Sequence, residues 1–116
     1  MPSNTENTNL TFYRSTTAIH IFLVKDENGA AYDLTGFEVK CQARQSPDSD
    51  TTVFDLTLED ETNGSIFENG KVVLRVEAAI VADMPPQCMY DIIATLGEFV
   101  VPIGRGFINL IPNITR

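Results

Sequence analysis

From Phe37 to Arg44 the chain alternates without a break: Phe37, Val39, Cys41 and Ala43 on one side, Glu38, Lys40, Gln42 and Arg44 on the other. A period of two is the spacing of a β-strand with one dry face and one wet face. The same alternation returns in Phe54, Leu56 and Leu58 against Asp55, Thr57 and Glu59. It returns again in Lys71–Val76, where Val72, Leu74 and Val76 are expected to point inward. Ser15–Val24 is β-branched and apolar, the composition of a strand. Tyr90–Leu96 and Gly104–Ile111 supply two further long strands, with Phe99–Val101 a short piece between them and Ser65–Phe67 another very short one. Asp26-Glu27-Asn28-Gly29, Ser46–Asp50, Glu59–Gly64 and Asn69-Gly70 punctuate the series as turns. About seven strands separated by turn signals roughly every 8 to 12 residues predict an all-β fold, an Ig-like antiparallel β-sandwich. Residues 12–116 form its single domain, and the Asn- and Thr-rich residues 1–11 are expected to be a polar N-terminal arm.

One stretch departs from the strand pattern. Glu77–Asp83 has the composition of a short helix, Met84-Pro85-Pro86 ends it, and Cys88–Ile92 resumes as strand. In a sandwich the chain must cross from one sheet to the other, and such crossings often contain a helical turn. The expectation is a structural corner with one short helical turn near residues 78–84. Ile80, Val81 and Met84 would plug the end of the sandwich, and Pro85 with Pro86 would redirect the chain. The Tyr90 hydroxyl would tie the corner down.

Composition narrows the chemistry. The chain has 116 residues, 43% of them hydrophobic, enough for one domain with its own core. Eight Lys and Arg against sixteen Asp and Glu give a formal net charge of −8. Such a balance repels phosphate backbones and anionic lipid, so the expectation is no nucleic acid and no membrane, with another protein as the partner. No apolar run approaches the roughly 20 residues needed to span a bilayer. The N-terminus lacks the basic start and apolar stretch of a signal peptide, so folding in a cytoplasm is expected. There Cys41 and Cys88 are expected to be reduced core thiols, although a sandwich could bring them face to face.

Catalytic and metal constellations are poorly supplied. His20, the single histidine, sits inside an apolar strand, where a core or interface role outweighs catalysis; a Ser-His-Asp arrangement would need this same residue. One histidine and two distant cysteines do not make a zinc site. Asp48 and Asp50, and Glu59-Asp60-Glu61, do not match a calcium loop. Gly97, Gly104 and Gly106 lack the Lys-Ser/Thr of a phosphate loop and suit bulges or close packing. The triplets Asn9-Leu10-Thr11, Asn63-Gly64-Ser65 and Asn113-Ile114-Thr115 match the glycosylation pattern; with no secretory signal expected, these are expected to be chance matches. The expectation is therefore no enzyme, no cofactor and no metal.

The order of motifs carries a resemblance. Asp33-Leu34-Thr35-Gly36-Phe37 leads into Val39–Arg44; Gly70–Leu74, Met84-Pro85 and Tyr90-Asp91-Ile92 follow; Gly106–Leu110 closes on Ile114-Thr115-Arg116. Taken together this resembles the small Ig-like domains of tailed-bacteriophage virion proteins, such as the N-terminal domain of phage baseplate upper proteins. Met84-Pro85-Pro86-Gln87 departs from the Leu-Pro-small-Gly step of that pattern, and the helical or fibrous extension is absent after Arg116. The resemblance implies a virion structural protein, made in the host cytoplasm, and these departures favour a stand-alone accessory one. It would be a capsid decoration or cement protein, or a tail or baseplate attachment module, acting alone or as a small homo-oligomer on major capsid or tail proteins. The terminal segments are the expected docking elements, with Asn9, Leu10, Phe12 and Tyr13 at one end and Pro112, Ile114 and Arg116 at the other. An adhesin-like or carbohydrate-binding sandwich is the alternative, for which Trp 0 and Tyr 3 offer few aromatic platforms.

Overall fold

A computed structural model describes residues 6–46 and 48–112. The chain forms strands β1 (Glu6–Asn7), β2 (Leu10–Tyr13), β3 (Ala18–Leu23), β4 (Glu38–Arg44), β5 (Phe54–Leu58), β6 (Lys71–Val76), β7 (Gln87–Leu96) and β8 (Phe99–Ile111), with one helical turn, α1 (Ala78–Ala82). Two sheets result. The larger runs β1-β8-β7-β4-β5, with β2 also on β8, and the smaller is β3-β6. The parallel pairing of the N-terminal strands to the last strand, beside β7, β4 and β5, is the arrangement of an Ig-like sandwich.

The core is the sum of the inward positions that the alternation marks. Phe22, Val72, Leu74 and Val76 of the small sheet face Val39, Cys41, Ala43, Ile92, Ala94 and Ile108 of the large one, all buried. In β4 the burial follows the period of two residue by residue. The crossing from β6 to β7 is the expected corner: Val81 and Met84 are buried and Ile80 packs partly against the core. At the other end of the sandwich Leu34 is fully buried, held by a local turn. There Asp33 Oδ1 accepts both the Thr35 N–H at 2.9 Å and its hydroxyl at 2.5 Å, and Gly36 takes a φ of +86°. The Asp33–Phe37 step is thus a structural plug.

Three expectations need correction. Residues 6–11 are not a free arm: β1 and β2 lie in the large sheet, parallel to β8, with Glu6 opposite Gly104 and Leu10 opposite Ile108. Apolar positions hidden in the polar segment make this favourable, since Leu10 and Phe12 are both core residues. Ser65–Phe67 is not a strand either. Ile66 forms a single bridge to Lys71 across a 3-10 turn over Phe67–Asn69, because Gly70 closes that turn at φ +69°. The last two apolar pieces are one strand of 13 residues, whose register slips once opposite Ile92 and Ile93.

Between β1 and β2 the chain passes directly over Gly106. The Thr8 N–H donates to the Arg105 carbonyl at 2.9 Å, and the Phe107 N–H donates to Asn9 Oδ1 at 3.1 Å. A Cβ on Gly106, whose φ is +156°, would stand 2.2 Å from the Thr8 carbonyl oxygen. Gly106→Ala is therefore expected to destabilise the fold by about 2 kcal/mol. It should also release residues 6–13 from β8, seen as a lower urea midpoint and as new proteolytic cleavage confined to that segment.

Candidate functional site

Tyr90 emerges from β7 between the sheets, and its ring lies 6.3 Å from that of Phe22. Its hydroxyl does not hold the corner at residues 77–86. It donates instead to the Thr8 carbonyl at 2.7 Å, the peptide that crosses Gly106. Met84 is buried and Pro85 half-buried, so those two keep the corner role while Tyr90 pins the N-terminal strand.

The residues expected to dock separate into three groups. Leu10 and Phe12 are core and unavailable to a partner. Asn9 is exposed but uses its side-chain oxygen within the fold, on the Phe107 amide. Tyr13 and Pro112 are exposed, with Tyr13 opposite the exposed Ile111 at the end of the β2–β8 pair. Ile114 and Arg116 lie outside the described residues.

Sequence reasoning missed the tip of the β7–β8 hairpin. Leu96 pairs with Phe99 across a two-residue loop, Gly97-Glu98, in which Gly97 supplies the positive φ of +59° that such loops demand. Leu96 and Phe99 continue the inward row of Ile92, Ala94 and Val101 beyond the opposing sheet. Val100 stands on the outer face. Phe99 and Val100 are each 60% exposed. A glycine-containing pair set between apolar residues is a hairpin signal, so Leu-Gly-Glu-Phe-Val was the available sign of this tip.

The outer face of the large sheet holds an open depression of about 560 Å³. Met89 and Phe107, opposite one another on β7 and β8, form its apolar floor, with Arg44, Arg105, Asp91, Gln42 and Asn9 around it. Gln42 Nε2 donates to Asp55 Oδ2 at 3.0 Å, and Arg44 Nη1 donates to the Ser49 carbonyl at 2.7 Å, so both side chains are held in place. Asp91 and Arg105 sit directly opposite each other. An apolar floor with planar polar groups on its rim suits a small polar molecule with one flat apolar face.

His20 packs edge-on to Phe22 with ring centroids 4.6 Å apart, half-buried in the small sheet. Among the described residues no group of three His, Cys, Asp or Glu stands close enough to hold a metal ion. No helix among them is long and apolar enough to cross a membrane. Cys41 and Cys88 are both free and buried, but they do not face each other across the sandwich. Cys41 lies opposite Ile92 on the adjacent strand of the same sheet, so Cys88 is displaced four positions along β7. That offset is about 13 Å, well past the reach of a disulfide.

No protein-family model and no curated protein matches the sequence. Among solved structures, a chain in the crystal structure of ICOS in complex with ICOS-L and an anti ICOS-L VNAR domain is similar. Its TM-score is 0.41 at 13% identity, over 94% of this chain and 56% of that one, so the chain spans little more than half of its length.

The thiols generate a prediction. Burial, reinforced by the charge of Asp91, pushes the Cys41 pKa up, and burial alone pushes Cys88 up to about 11. In the unfolded chain both thiols ionise near about 8.5. The protonated, folded form is therefore favoured fully below that pH, and the advantage is lost as pH rises toward the folded values. Unfolding free energies from urea titrations should fall between about pH 9 and 11, by up to roughly 1.4 kcal/mol per pH unit for each thiol. Cys41→Ala and Cys88→Ala together should flatten that slope relative to the parent protein.

Proposed function

We propose that this chain is a non-enzymatic Ig-like binding module that docks on a repeating surface of a larger assembly, the capsid or tail of a tailed-phage virion. The observation that carries the docking reading is the β7–β8 hairpin tip, where Leu96, Phe99 and Val100 are exposed together beyond the sandwich. Apolar side chains gathered at a protruding tip have no role in the chain's own core, and they gain free energy by entering a partner's cavity. The virion setting is supported by the order of sequence motifs, from Asp33–Phe37 through Tyr90-Asp91-Ile92 to Gly106–Leu110. Major capsid or tail proteins are the partners this reading implies. A rigid two-residue hairpin presents the tip at little cost in conformational entropy.

Replacing both residues in a Phe99→Asp, Val100→Asp variant forfeits about 1.5–3 kcal/mol of burial for each side chain at the contact. Since both are exposed in the free protein, its melting temperature should stay within a few degrees of the parent's. The copy number in purified particles should drop at least about tenfold. Particles carrying undiminished amounts of this variant would sink the reading.

A second reading, a carbohydrate-binding module, is favoured by the depression over Met89 and Phe107 with its two arginines and Asp91. If that reading holds, a glycan array gives hits that Phe107→Ala removes. An array without hits eliminates it.

A further inference from the structure

The two-stranded sheet leaves one edge open. Val24 donates its N–H to the Gly70 carbonyl at 2.8 Å, which makes Val24 and Gly70 a hydrogen-bonded pair of the β3–β6 ladder. Counting back by twos, Phe22, His20 and Ala18 also turn their backbone groups toward β6. Ile19, Ile21 and Leu23 therefore turn their N–H and C=O groups the other way. The opposite edge of β6 confirms the count. There the Val73 N–H reaches Ser65 Oγ at 2.9 Å and the Lys71 N–H reaches the Ile66 carbonyl at 3.0 Å, so that edge is occupied at Lys71 and Val73. Among the described residues, Ile19, Ile21 and Leu23 have no backbone hydrogen bond outside the β3–β6 pair.

The same three residues place their side chains on the outer face. Ile19 is 62% exposed, Ile21 48% and Leu23 58%. Open edges are normally defended by a charge, a proline or a bulge. The edge strand β5 of the large sheet carries the exposed Asp55; β3 has none of these devices, and no charged residue falls between Ser15 and Val24.

We infer that β3 is a pairing edge for a second copy of this chain, joining the two small sheets into one continuous antiparallel sheet about a two-fold axis at Ile21. This inference is independent of the virion reading. Antiparallel pairing about Ile21 sets it against its own counterpart and Ile19 against the other copy's Leu23, so the three central outer-face contacts are aliphatic on aliphatic. Each copy contributes three N–H donors and three carbonyl acceptors in matching positions. The charges agree with this occupant. Lys25, on the same face one step past Leu23, meets Thr17 of the other copy rather than a like charge. On β6, Lys71 and Arg75 flank the stripe, and Arg75 is paired with Glu77 at 3.1 Å. Neither β3 nor β6 contains an Asp or Glu, so the strands that meet add no repulsion between acidic side chains of their own. An apolar patch of the order of 300–600 Å² per copy is at the low end for a specific interface. The dimer is accordingly expected to dissociate on dilution, with a dissociation constant in the micromolar range or above.

The register supplies the test. Under mild oxidation Ile21→Cys should cross-link to itself, because residues paired across antiparallel strands lie about 5.5 Å apart at Cα, within disulfide reach. Ile19→Cys mixed with Leu23→Cys should cross-link, whereas each of these alone should not. Sedimentation velocity should show a monomer–dimer equilibrium in the parent and at least a tenfold weaker one in Ile21→Lys, which keeps its fold because the position is exposed. A parent that stays monomeric up to millimolar concentration, or cross-links that ignore this register, would overturn the inference. So would a monomer whose Ile19, Ile21 and Leu23 amides resist hydrogen exchange, since the edge would then already be filled without a second copy.

Discussion

Two strands have to cover the inner face of a six-stranded sheet, and the rest of the molecule follows from how they manage it. β3 and β6 reach only the middle of that face, with Phe22, Val72, Leu74 and Val76. The uncovered ends need other material, because inward apolar rows left wet would forfeit about 25 cal/mol for each Å². The helical turn α1 closes one end through Val81 and Met84. The Asp33–Phe37 turn closes the other with Leu34, and Phe67 joins it through the hydrogen bond from the Leu34 N–H to the Phe67 carbonyl. Where the plugs stop, apolar side chains protrude, and that is where Leu96, Phe99 and Val100 are found.

Local pattern was enough for the middle of the chain and insufficient for its beginning. β4, β5 and β6 announce themselves by alternation, and the corner at Glu77–Pro86 by its helix former, its proline pair and its apolar plugs. The parallel pairing of β1 and β2 with β8 leaves no such trace. It joins residues about a hundred positions apart, and its short strands sit in an Asn- and Thr-rich stretch with only Leu10 and Phe12 to mark them. Tyr90 shows the same limit from the other side. That its hydroxyl would tie down a peptide was legible, but which peptide depended on a strand whose position was not. The exposed tip was hidden for a different reason: Leu96 and Phe99 obey the inward period, and only the finite length of the opposing sheet leaves them in water.

The hairpin tip and the β3 edge share one origin. Neither is a cavity built around reactive groups; each is a place where a regular pattern of burial runs past the material available to complete it. On β3 the pattern is that of hydrogen bonds and outer-face aliphatics, and at the hairpin it is the inward row of β7 and β8. A small sandwich with the minimum of strands in one sheet has such unfinished boundaries as a matter of geometry. Association is then the cheapest way to complete them.

The direction in which β2 runs beside β8 has a mechanical consequence. The two strands are parallel, so tension applied backward from β1 and forward from the end of β8 would drag them past each other along their length. The backbone bonds of the pair, together with the Tyr90–Thr8 and Asn9–Phe107 clasps, would then bear the force together, in shear, instead of opening one at a time like a zipper. Resistance to such loading is set by the rate of crossing the unfolding barrier rather than by equilibrium stability. The clasp over Gly106 thus reinforces a pair of strands that would be loaded in shear.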